Sequence, residues 1–159
     1  MFCRVTRSQQ RHGQSMVTPE ENNSYNLERF VEAQDGVFEQ VCEELCAGRK
    51  RSHWMWFIFP QLQGLGHSAM ARYYAISSLE EAKAYLDHPI LERRLLQCCQ
   101  LVNLVEGRSI QEIFGSPDYL KFRSSMTLFA QASTENQLFR AALEKYFEGE
   151  PDRSTLERL

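Results

Sequence analysis

No stretch of this 159-residue chain stays apolar for the roughly 20 residues that a membrane-spanning helix needs. The amino terminus has no apolar core followed by a cleavage site, so the expected protein is cytoplasmic and away from membranes. A net charge of −3 lacks the basic surplus of proteins that track phosphate backbones, which makes nucleic acid an unexpected partner. Cys42, Cys46, Cys98 and Cys99 fall at no C-x-x-C spacing. They are read as small core residues rather than zinc ligands, and no metal or other cofactor is implied. Walker loops, zinc-protease helices, serine-nucleophile elbows and dinucleotide fingerprints are missing as well. No two alternating runs are joined by a hairpin turn, so nothing in the pattern starts a sheet.

What the chain does have is helix punctuation. Asn26, Asp35 and Ser68 stand where side-chain caps are expected, and Ser78–Glu81 and Ser109–Glu112 have the spacing of capping boxes. Pro89 and Pro117 stand at helix starts, Thr134–Gln137 opens a long carboxyl-terminal helix, and Asp152–Leu159 can form a last turn. Between these signals, sets such as Leu91, Leu95, Cys98, Leu101 and Val102 recur at helical spacing. With 43% hydrophobic residues the expectation is all-α: one compact domain over residues 25–159, seven or eight helices, and a disordered extension over residues 1–24.

The centre of that frame is expected at Arg49–Gln61, which holds both tryptophans of the chain. His53, Trp54, Met55, Trp56, Phe57, Ile58 and Phe59 carry no formal charge at neutral pH and must be covered. Their periodicity fits a strand or a short helix. Ser52 as a possible cap and Pro60 as a stop favour the helix. Three cations, Arg49, Lys50 and Arg51, precede the run, and the turn Gly64-Leu65-Gly66 follows it. Glycines there permit positive φ, and the exposed N–H groups of such a turn can hold an anion.

Two functions fit these residues. In the first, the protein is an enzyme or a sensor that binds a small phosphorylated, nucleotide- or ADP-ribose-like ligand, with hydrolysis as the reaction if it is an enzyme. Trp54, Trp56 or Tyr74 would stack a base, worth about 1–3 kcal/mol. Arg49, Lys50, Arg51 or Lys121 would hold phosphate, and His53 would move a proton with Asp118 or Glu81 as the acid. In the second, the rings are core, the hydroxyls of Ser124, Ser125 and Thr127 bond back to the preceding helical turn, and the protein is a non-catalytic interaction module.

The blocks Lys50-Arg51-Ser52-His53-Trp54-Met55-Trp56-Phe57-Ile58-Phe59-Pro60-Gln61 and Ser124-Ser125-Met126-Thr127-Leu128-Phe129, with Asp118, Lys121 and Tyr74-Ala75-Ile76, resemble a mainly bacterial family of small helical proteins whose members are often labelled calpastatin. Calpastatin inhibitory segments are largely disordered, whereas this sequence is apolar and capped, so the resemblance implies a compact helical domain. It adds Gln61, Ser124 and Ser125 to the ligand-binding candidates. The order of aromatic loop, tyrosine-containing helix and Asp-x-x-Lys helix is also similar to an N-glycosidase-like family linked to NAD and ADP-ribose metabolism. That family's acidic residue before the tyrosine helix has no counterpart beside His67-Ser68.

Overall fold

In the computed structural model, which describes residues 24–135 and 137–159, the chain forms ten helices and no named strand among those residues. The extension expected over residues 1–24 lies, Ser24 aside, outside the described residues. Longer helices run over Glu28–Asp35 (α1), Phe38–Cys46 (α2), Leu79–Asp87 (α5), Pro89–Leu104 (α6), Asp118–Ala132 (α8) and Gln137–Phe147 (α9). Shorter ones are Met55–Ile58 (α3), Ala69–Tyr73 (α4), Ile110–Phe114 (α7) and Arg153–Arg158 (α10), and these turns raise the count above the expected seven or eight.

The aromatic run lies inside. Trp54, Met55, Ile58 and Phe59 are buried, and Phe59 meets Phe122 edge-on at 5.0 Å and Phe114 at 5.8 Å between ring centroids. Edge-to-face pairs add about 0.5–1.5 kcal/mol beyond the area they bury. Around this hub α8 packs against α5, α7, α9 and α10, while α6 packs against α2, α5 and α9. Gln34 of α1 pins the hub from a third side, its amide donating to Phe57 O at 2.7 Å and Tyr85 Oη at 3.2 Å.

Several helix starts differ from expectation. Ser68 caps α4 and the Ser109–Glu112 box closes in both directions, as the spacing predicts. The Ser78–Glu81 box closes only halfway: Ser78 accepts from Glu81 N–H, but the Glu81 carboxylate turns to other partners. Asn26 caps nothing with its side chain; it takes φ +53 and offers its carbonyl to Arg29. Asp35 ends α1 and pairs with Arg94 at 2.7 Å, leaving Val37 at the start of α2 without a side-chain cap. Ser52 does not cap α3. An unexpected cap is His88, whose Nδ1 accepts from Ile90 and Leu91 N–H at 3.3 and 3.4 Å. The start of α9 adjoins Asn136, outside the described residues.

One sheet-like feature was not anticipated. Leu62 and Ile76 form an isolated parallel bridge, with Ile76 N–H donating to Gln61 O and Gln63 N–H to Ile76 O, each at 2.8 Å. It ties the exit of the aromatic run to the entry of α5. No helix of the described residues is long and apolar enough to cross a membrane.

Candidate functional site

Part of the expected constellation does converge. Asp118, at the first turn of α8, takes Lys50 Nζ on one oxygen at 2.9 Å and Lys121 Nζ on the other at 3.4 Å. Each ammonium also lies over an indole, Lys50 at 5.1 Å from the Trp54 ring centre and Lys121 at 5.3 Å from that of Trp56. Both cations are thereby already committed to a carboxylate and a ring face.

The other expected residues are dispersed. Trp54 is 1% exposed, packed against Phe59 and Phe114, so protein covers its ring. His53, Arg49 and Arg51 are exposed. Gln61 meets the Leu62–Ile76 bridge through its carbonyl, and Tyr74 packs its ring on Phe30 and Phe57. Ser124 Oγ donates to Leu120 O or Asp152 Oδ2, at 3.1 and 3.0 Å, and Thr127 bonds back to Arg123 O at 2.8 Å. Ser125 is buried with no hydrogen-bond partner for its hydroxyl among the described residues.

The cation-to-ring passage is shaped by Glu44. Its carboxylate accepts from Arg51 N–H, from Ser52 N–H and Oγ at 2.8 Å each, and from Trp54 Nε1 at 3.3 Å. Burial pushes this carboxyl up, but the hydrogen bonds from Arg51, Ser52 and Trp54 outweigh it and hold the group below its ordinary value. Ser52 thus serves a buried acid.

An open cleft of about 720 Å³ lies elsewhere, on the Leu62–Ile76 bridge. Its walls are Leu62, Gln63, Gly64, Gly66 and His67 from the glycine turn, Arg72 of α4, Ala75, Ser77, and Arg158 of α10. None of these residues is acidic, and among the described residues neither Arg72 nor Arg158 has a carboxylate partner. The glycines have defined tasks. At Gly64, with φ +89, a Cβ would come within 2.7 Å of Arg158 Nη1; at Gly66 it would come within 2.6 Å of Ala71 Cβ. The turn therefore closes onto α4 and leaves room for the guanidinium.

Two buried devices hold the walls. Arg29 donates through all its N–H groups: Nε to Tyr73 O, Nη1 to Tyr25 and Asn26 O, Nη2 to Ala75 O and Glu81 Oε2. Glu81 in turn accepts Ser77 N–H at 3.2 Å and Ser77 Oγ at 2.8 Å. One ion pair thus fixes both Ala75 and Ser77. On the far wall, Asp152 caps α10 through Thr155 N–H and links to Thr127 and Ser124 of α8, which seats the helix that carries Arg158.

Residues 24–159 match the family described as "Protein of unknown function (DUF1810)". The chain belongs to the DUF1810 family. It is similar to the solved structure of the conserved hypothetical protein Rv1873 from Mycobacterium tuberculosis: 60% identity, 86% of this chain and 97% of that chain covered, TM-score 0.85. No curated protein matches.

In this DUF1810 chain the glycine turn was the legible half of the cleft. Arg72, Ser77, Arg158 and the support from Arg29 were missed. Arg72 lies near the turn and could have been associated with it; no sequence signal connects Arg158 to a site so far back in the chain.

Proposed function

We propose that the protein binds a small phosphorylated molecule in the cleft between the Gly64–Gly66 turn, Arg72 and Arg158. One observation carries this reading: two guanidinium groups with no carboxylate partner among the described residues border a cleft whose lining includes no acidic residue, in a chain whose net charge is −3. Guanidinium forks match phosphate oxygens in geometry and charge. Lys50 and Lys121, the phosphate candidates named from sequence, serve less well because Asp118 already occupies them. The lining includes no phenyl, phenol or indole ring and only the small imidazole of His67, so the cleft fits the phosphate-bearing part of a nucleotide- or ADP-ribose-like ligand better than its base. Neither His53 nor Asp118 borders it, and the reading is one of binding.

Isothermal titration with inorganic phosphate, AMP and ADP-ribose tests this. Saturable binding that weakens about tenfold or more in Arg72→Ala and in Arg158→Ala is expected, each change removing a charge-assisted contact. Absence of binding at millimolar concentration overturns the reading.

A further inference from the structure

Ser77 gives the cleft a chemical preference beyond charge. Its hydroxyl has one proton, and that proton is directed at Glu81 Oε1, 2.8 Å away. Glu81 is engaged as an acceptor on both oxygens, Oε1 by Ser77 and Oε2 by Arg29 at 3.0 Å in a pair whose side chains are 7% and 4% exposed. The Arg29 guanidinium is itself saturated by four carbonyls and this carboxylate, so the arrangement has no slack. Ser77, although exposed at the cleft wall, is left with lone pairs only and can accept but not donate.

A phosphate oxygen facing Ser77 would find no proton; a hydroxyl would find an acceptor. An ammonium donor would have to enter beside two guanidinium groups that have no carboxylate partner among the described residues, and these repel it. The donor that suits the site is neutral. We infer that the ligand is a phosphate ester carrying a free hydroxyl, of the sugar- or polyol-phosphate class, and that Ser77 reads the hydroxyl while Arg72 and Arg158 hold the phosphate. This deepens the proposed function and rests on it.

The experiment compares ribose 5-phosphate with methyl phosphate, an ester of the same charge type without a hydroxyl, by titration into the whole protein. Ribose 5-phosphate should bind about fivefold to tenfold tighter, the scale of one hydrogen bond. Ser77→Ala should remove that difference while leaving methyl phosphate affinity unchanged, and Ser77→Thr, which keeps the hydroxyl, should restore it. Equal affinity of the two esters in the wild-type protein, an equal loss for both in Ser77→Ala, or failure of Ser77→Thr to rescue would overturn the inference while the phosphate reading stands. If neither ester binds, the cleft reading fails with it.

Discussion

Arg29 and Glu81, 52 residues apart in sequence, meet in a buried ion pair at 3.0 Å, and between them they position both Ala75 and Ser77. Removing one partner leaves the other charged and buried. Arg29→Ala is expected to destabilise the fold by about 3–5 kcal/mol, because Glu81 then lacks its counter-ion and four carbonyls lose a donor. Urea unfolding measures this, and a loss under 1 kcal/mol would show that the pair is not a structural pin.

Glu44 makes stability sensitive to acid. Its folded pKa is depressed, so its contribution is present above the ordinary 4.5 and disappears as pH falls through the lower folded value. Melting temperature should drop below that point in the wild-type protein and drop less in Glu44→Gln. The substitution itself should cost about 1–3 kcal/mol at neutral pH, since it disturbs acceptors for Ser52 and the Trp54 indole. Parallel melting curves against pH for the two proteins decide it.

His88 titrates in a different window. Burial, aided by nearby Arg94 and opposed by Glu28, lowers its pKa from 6.5, and its cap needs an unprotonated Nδ1. The unfolded chain therefore takes up the proton first. The cap's contribution is full above 6.5 and is lost as pH falls towards the folded value. His88→Asn keeps a capping oxygen without the titration. Between about pH 7.5 and about pH 5.5 the wild-type protein should lose up to about 1 kcal/mol that this variant retains.

Asp152 should affect the cleft without lining it. Its Oδ2 accepts from Ser124 Oγ, Thr155 N–H and Thr155 Oγ1 at 3.0, 3.1 and 2.6 Å, holding α10 on α8. Asp152→Ala is expected to weaken phosphate binding nearly as much as Arg158→Ala, and to cost about 1–3 kcal/mol besides. Arg158→Ala should leave stability within about 0.5 kcal/mol. Titration and denaturation of the two variants side by side separate seating from contact.

Local signals were readable and their competition was not. Ser109 and Glu112 stand exposed, and no buried group among the described residues draws either side chain away, so their box closes as the spacing predicts. Glu81 has the same spacing from Ser78, yet a buried guanidinium from α1 recruits its carboxylate, which no local rule foresees. Ser52 is drawn to Glu44 in the same way. The buried aromatic hub was legible because a run of rings has few alternatives to a core. The cleft was legible only at its glycines: Arg158 reaches the Gly64 turn through the packing of α10 on α8, a relation that lies in three dimensions alone.

The Leu62–Ile76 bridge joins the two feet of a loop to each other. Residues 63–73, which supply the glycine turn and Arg72, hang from that stitch, and α4 within them buries no side chain. Sequence drift in this loop would retune what the cleft accepts while drawing little on the aromatic interior. The turn and Arg72 can therefore vary apart from the aromatic interior, whereas Ser77 and Arg158 stay tied to the buried Arg29–Glu81 pair and to Asp152.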